Sequence, residues 1–197
     1  MKTIFKAGMY KIIGLFYENR NKPIHLREIS RRTKLNESTI TTHLNSLLKE
    51  NILKYEKEGN MKKFRMNTFA IPGIFPIFDT EKLEKLPLLR RNAIKEYLKN
   101  LEKKPLLAIV FGSTAKQTFN DESDIDILEV YQQKSDNKQA IKSTESLTGV
   151  HIQTFQVLEK DFNKDLLEKK DHVLQSAINT GFPVFNKEFF YEEIYHE

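Results

Sequence analysis

The chain has 197 residues, is 39% hydrophobic, contains no cysteine and carries a formal net charge of +5. That length holds one large domain or two small ones. The lack of cysteine excludes a disulfide framework and a thiolate zinc site, and no apolar run is long enough to cross a membrane as a helix. The start, MKTIFKAGMYKIIGLFYENR, is interrupted by Lys6, Lys11 and Glu18 and lacks a signal-peptide core and cleavage site, so a soluble cytoplasmic protein is expected. The charge is unevenly placed: residues 1–70 hold 15 Lys/Arg against 6 Asp/Glu, and residues 71–197 hold 17 against 21. A basic front joined to an acidic remainder suggests a polyanion-binding module attached to something else, although a lysine-rich surface without a nucleic-acid role reads the same way.

Residues 8–19 place Met9, Ile12, Ile13, Phe16 and Tyr17 at helical spacing with one buried face. A turn at residues 19–23 leads into a short extended piece, Ile24-His25-Leu26, then a second helix over Arg27–Thr33. A third helix is expected from Glu37 to Asn51, with Asn36 as its N-cap and Glu37 favourable in the first turn. Ile40, Leu44, Leu47 and Leu48 fall on one side of it; Ser38, Thr42, Asn45, Ser46 and Lys49 fall on the other. Two alternating segments, Ile52–Lys57 and Met61–Asn67, flank a Gly-Asn turn and read as a β-hairpin.

Three helices and a hairpin make a winged helix-turn-helix. The segment HLREISRRTKLNESTITTHLNSLLKENIL resembles the DNA-binding core of small prokaryotic and archaeal winged-helix regulators. In such proteins the second helix of the pair enters the major groove and the wing touches the backbone. The candidate DNA-binding residues are therefore Ser38, Thr39, Thr42, His43, Asn45, Ser46 and Lys49 on the third helix, and Lys62, Lys63 and Arg65 on the hairpin. His43 sits nearer the edge of the outer face. Winged helices also serve as protein-interaction modules, and no arginine lies in this helix.

Residues 71–80, IPGIFPIFDT, hold two prolines and a glycine among apolar residues and are expected to be a packed linker rather than a helix or inner strand. Thr80 is the expected N-cap of a helix over residues 81–103, kinked or divided at Pro87. Further on, a helix carrying Ile141 and Leu147 ends at Gly149, and Val150–Leu158 reads as a strand. Asp161 caps a following helix, residues 171–180 form another ended by Gly181, and Phe182–Phe185 is a short extended piece before an aromatic, acidic tail.

The most informative stretch is Leu106–Tyr131. An apolar run, Leu106–Phe111, breaks at Gly112-Ser113, and the chain re-enters an alternating strand at Asp124-Ile125-Asp126-Ile127-Leu128. The period of two points both carboxylates to one face. Two adjacent acids call for a cation, and Mg²⁺ suits one or two carboxylates completed by water and substrate phosphates. A Gly-Ser turn supplies backbone N–H groups in close approach and a hydroxyl. The pattern Gly-Ser, ten residues, Asp-x-Asp resembles the nucleotidyltransferase superfamily related to DNA polymerase beta, in its minimal form.

That resemblance implies transfer of an NMP group from an NTP, ATP by expectation, to a hydroxyl of an unnamed acceptor. Asp124 and Asp126 would be the metal-holding, catalytic pair for Mg²⁺ (or Mn²⁺), and Gly112 and Ser113 the phosphate cradle. Lys116 reads either as a point charge toward phosphate or as a solvated loop lysine. The resemblance also implies a third carboxylate on the next strand, but Val150–Leu158 contains none; Gln153 and Gln156 are its polar residues. Glu129 stands at an odd offset from Asp126 and should face away. Two functions therefore compete: an enzyme, with a small helical protein among its candidate partners, and a DNA-binding regulator whose second domain senses nucleotide or dimerises. The expected fold is mixed α/β (α+β): a winged helix-turn-helix over 1–70, a linker and connecting helix over 71–104, and a nucleotidyltransferase-fold mixed sheet with flanking helices over 105–197. A homodimer is the expected oligomer.

Overall fold

Apolar residues at helical spacing open the chain and close on a small sheet. The computed structural model describes residues 5–20 and 22–195. Helix α1 (Ala7–Glu18) buries Ile12, Ile13, Leu15, Phe16 and Tyr17. Helix α2 (Leu26–Thr33) buries Ile29, and α3 (Glu37–Lys49) buries Ile40, Leu44 and Leu47, a spacing of four and three that keeps them on one stripe. Asn36 caps α3, its side-chain oxygen accepting the Thr39 N–H at 2.8 Å. Strands β1 (Ile24–His25), β2 (Leu53–Glu58) and β3 (Met61–Met66) form an antiparallel sheet in the order β1-β3-β2. Gly59, at φ +58°, makes the two-residue turn between β2 and β3.

The expected linker at residues 71–80 is instead the first part of helix α4 (Ile71–Glu84), with Pro76 inside it. A proline there removes one helical hydrogen bond, at a cost of about 3 kcal/mol. Against this, Ile71, Ile74, Phe75 and Phe78 are all buried, each worth about 1.5–3 kcal/mol. Phe78 stacks on Tyr10 at 4.7 Å and on Tyr17 at 5.2 Å, and Phe75 meets Tyr17 edge-on at 5.4 Å. Burial outweighs the lost bond. Thr80 is consequently inside a helix rather than at its cap. The chain divides into two compact units between Phe78 and Asp79.

In the second unit Pro87 precedes helix α5 (Leu88–Asn100), so the helix expected over 81–103 is two helices. A four-stranded mixed sheet follows: β4 (Leu107–Phe111), β5 (Ile125–Tyr131), β6 (Ile152–Leu158) and β7 (Phe182–Phe185), in the order β6-β5-β4-β7. β5 runs parallel to β6, and β4 is antiparallel to both β5 and β7. Every residue of β4 is buried, as its unbroken apolar run requires when both faces are covered. Ala93, Ile94 and Tyr97 of α5 pack on one face with Ala108, Val110, Ile125, Ile127 and Ile152. Helix α7 (Lys138–Thr148) packs against α5 on that side, while α8 (Glu159–Glu168) and α9 (His172–Thr180) contact β4, β5 and β6.

Gly149 ends α7 at φ +69°. Gly181 ends α9 in an extended conformation, and there the glycine is required by space: a Cβ would collide with the Ala177 carbonyl and come within 2.7 Å of Ile109 Cγ2. α8 begins at Glu159, so Asp161 lies in its first turn rather than at its cap. The tail forms helix α10 (Lys187–Tyr195), anchored where the Tyr191 hydroxyl donates to buried Asp79 at 2.8 Å and Lys187 donates to Thr80 at 2.7 Å.

Candidate active site

β4 ends at Phe111, and the chain turns at once into the short helix α6 (Gly112–Lys116). Gly112 has φ +65°, and a Cβ built on it would run into Asp126 Oδ2. Two constraints therefore demand glycine: a left-handed backbone, and the Asp126 carboxylate packed where a side chain would stand. Ser113 is half-buried and its hydroxyl makes no hydrogen bond among the described residues; Lys116 is exposed at the end of α6. Gln117 closes α6 at φ +58°, and the loop to Asp124 is knitted by Ser123 Oγ donating to Asn120 Oδ1 at 2.8 Å.

Asp126 lies opposite Phe111 on β4 and Gln153 on β6. Asp124, exposed, immediately precedes β5 on the same side. Neither carboxylate has a hydrogen-bond or ion-pair partner among the described residues. Burial pushes the Asp126 carboxyl above its ordinary value, and the charge of Asp124 pushes it further. Two neighbouring acids with no side-chain cation between them fit a divalent ion. Among the described residues no group of three or more His, Cys, Asp or Glu is placed to hold a metal; the pair stands alone.

The two glutamines of β6 separate by parity. Gln153 is exposed in register with Asp126, whereas Gln156 pairs with Glu129 on the opposite face. Glu129 is fully buried; its carboxylate accepts from the Tyr97 hydroxyl at 2.6 Å, Asn137 Nδ2 at 2.6 Å and Gln156 Nε2 at 3.3 Å. Burial pushes its carboxyl up from the ordinary range, opposed by the Tyr97, Gln156 and Asn137 hydrogen bonds. This acid is committed elsewhere. His151 is exposed, 3.3 Å from Glu145.

A residue that no local pattern marks is Arg90 on α5, only 5% exposed. Its guanidinium donates to Thr114 Oγ1 at 2.8 Å, to the Asn120 carbonyl at 3.1 Å, to the Ser123 carbonyl and to the Asp124 carbonyl at 3.4 Å, and lies 4.3 Å from the Phe119 ring centre. In the sequence it is one of two adjacent arginines, and nothing local separates it from Arg91, which pairs with Glu84 at 3.0 Å.

In the N-terminal unit Ser38, Thr42, Asn45 and Lys49 are exposed along α3, with Thr39 and Ser46 partly so. The Thr42 and Ser46 hydroxyls donate back to the Ser38 and Thr42 carbonyls, at 3.0 and 3.2 Å. His43, partly exposed, lies against Gly8 of α1, close enough that a Cβ there would strike its ring. The hairpin cations are engaged: Lys63 pairs with Glu58 at 2.6 Å, Arg65 with Glu56 at 2.9 Å, and Lys62 lies 4.3 Å from the Tyr55 ring centre. Counting charge along the sequence could not reveal this, because the acids sit across the strand register.

The mixed sheet with its flanking helices is of the nucleotidyltransferase class. Residues 92–189 match the family model described as "Polymerase beta, Nucleotidyltransferase", and form a polymerase-beta-like nucleotidyltransferase domain. The match contains Gly112, Ser113, Asp124, Asp126 and Gln153 and does not reach the N-terminal unit. No curated protein and no solved structure matches the chain. Among the described residues no helix is long and apolar enough to cross a membrane.

Proposed function

We propose that the protein transfers an NMP group from an NTP, ATP in the first instance, to a hydroxyl of an acceptor, with Mg²⁺ or Mn²⁺ held by Asp124 and Asp126. The observation that carries this reading is the packing of Asp126 against Gly112, which makes the acid pair and the Gly-Ser turn one construction. When bound, the metal would neutralise phosphate charge and acidify the attacking hydroxyl. The chain's own part is positional: Gly112 leaves the backbone open to close approach, the free Ser113 hydroxyl is a donor for phosphate oxygen, and the two carboxylates hold their charge on one side of the sheet. Purified protein with Mg²⁺ and labelled ATP should pass label to itself or to an acceptor. Absence of any NTP binding at millimolar concentration, with Mg²⁺ or Mn²⁺, would sink the reading.

A second reading has its own observation. Gln153 occupies the position in register with Asp126, and a neutral amide is a poor metal ligand and no base. This favours a domain that binds metal–nucleotide and turns over slowly or not at all. In either case the N-terminal unit is proposed to be a winged helix that meets DNA through Ser38, Asn45 and Lys49. Its basic balance and exposed polar face on α3 support this. The paired Lys63 and Arg65 lower the charge its hairpin can offer. A small helical protein as acceptor, and a homodimer on two half-sites, belong to the same proposal. DNA affinity measured across salt should fall steeply; a flat response removes the DNA-binding part.

A further inference from the structure

We propose that Arg90 is a positioning residue that sets the separation between the phosphate cradle and the metal-holding acids. The proposal rests on the nucleotidyl-transfer reading of Asp124 and Asp126 and goes beyond it, because Arg90 lies outside the matched family segment, residues 92–189. Arg90 touches both halves of the site from behind. One nitrogen, Nη1, bonds the Thr114 hydroxyl, which is fully buried one residue beyond Ser113, and reaches the Asp124 carbonyl; Nη2 bonds the Asn120 and Ser123 carbonyls of the intervening loop. The Phe119 ring closes one face of the guanidinium.

A planar fork of fixed geometry is the one side chain that can bind this many diverging acceptors at once. Its cost is large: a guanidinium at 5% exposure has left most of its water behind, and such groups are retained where fully satisfied. Every partner here is a neutral oxygen, so the charge is not consumed by a carboxylate. Burial opposes that charge and pulls the guanidinium below its ordinary value, while Asp121 and Asp124 favour the charge through space. The consequence is a loop between Thr118 and Asp124 whose carbonyls are drawn toward one point. The Asp124 main chain is thereby held at a set distance from Gly112 and Ser113. Lysine keeps the charge but bonds as a single point, so it cannot hold the four acceptors in one geometry.

The test uses the full chain and Mn²⁺, alone and with ATP, followed by electron paramagnetic resonance. Wild type should bind Mn²⁺ with ATP. Arg90→Lys should keep its fold, judged by urea unfolding, yet lose about tenfold or more in Mn²⁺ affinity, the usual scale for groups that orient metal ligands. Its bound Mn²⁺ should also give an altered line shape at saturation, which a loss of stability alone does not produce. Thr114→Val, which removes one acceptor at nearly constant volume, should lose affinity by a smaller factor in the same direction, and it decides the matter if Arg90→Lys fails to fold. If wild type binds and Arg90→Lys binds within twofold with an unchanged spectrum, the positioning role is overturned and the site reading stands. With Arg90→Lys unfolded, unchanged affinity in Thr114→Val overturns it equally. If wild type binds no Mn²⁺ even with ATP, the site reading itself fails and Arg90 has nothing to position.

Discussion

Replacing Gly112 by alanine perturbs two things that can be separated. The backbone at φ +65° disfavours any Cβ by roughly 1–2 kcal/mol, and the new methyl would displace the Asp126 carboxylate. Moving that side chain off its rotamer costs about 0.5–1.5 kcal/mol and aims the acid away from the turn. Gly149 supplies the control within the same unit: it has φ +69°, and a Cβ there would meet nothing within 4 Å. Gly149→Ala therefore carries the backbone cost alone. Both variants should lose about 1–2 kcal/mol of stability in urea unfolding, Gly112→Ala somewhat more. Only Gly112→Ala should lose Mg²⁺–ATP affinity in calorimetric titration, on the order of tenfold or more, where tenfold is about 1.4 kcal/mol. Wild-type affinity in Gly112→Ala would refute the coupling of turn and acid, and an equal loss in Gly149→Ala would show that affinity merely tracks stability.

Gln153→Asp places an acid in register with Asp126, and should raise Mn²⁺ affinity and speed label transfer from ATP; unchanged binding and transfer would remove Gln153 as the cause of a weak site. Glu129 carries a pH dependence whose sign is set by its raised carboxyl. The folded state binds the proton more tightly than the unfolded chain, so this group's stabilising share is full below the ordinary carboxylate value and is lost as pH rises through the folded value, with a slope of up to about 1.4 kcal/mol per pH unit. Urea unfolding of Glu129→Gln across that window should lack the slope, and an identical slope in wild type and variant would clear Glu129. For the N-terminal unit, Lys62→Glu with Lys63→Glu should weaken DNA binding and flatten its salt dependence in a titration at several ionic strengths; no change would exclude the hairpin from the interface.

The sequence is legible wherever a local period or local chemistry determines the structure. The run ending at Gly112 had to be a strand buried on both faces, the Asp-x-Asp spacing had to share a side, and Asn36 had to cap α3, because each is decided by residues within one turn or pleat of each other. Helix α4 was hidden because its prolines speak locally while its aromatics bind to Tyr10 and Tyr17, far back in the chain on α1. Arg90 was hidden for the same reason, its acceptors lying 24 to 34 residues further along the chain. The hairpin cations show the converse: charge counting found Lys63 and Arg65, while the strand pairing that brings Glu58 and Glu56 beside them is a fact of register.

Parity explains why the acid pair must look outside the protein for its remaining ligands. Glu129 is three residues beyond Asp126, so the pleat sends it to the other face, where Tyr97, Asn137 and Gln156 fill its acceptor sites. It cannot turn to the metal without stranding those donors in the core, at about 1–3 kcal/mol for each group left unpaired. Gln153 has the right parity and the wrong chemistry. On the proposed reading, two carboxylates are then too few to hold a hard divalent cation tightly by themselves, and NTP phosphates and water must complete the set. Cation and nucleotide consequently favour each other's binding by the same factor, since linkage is reciprocal. A site of that kind responds to the metal–nucleotide complex rather than to either part, and it does so equally for a domain that transfers the NMP group and for one that only binds the nucleotide.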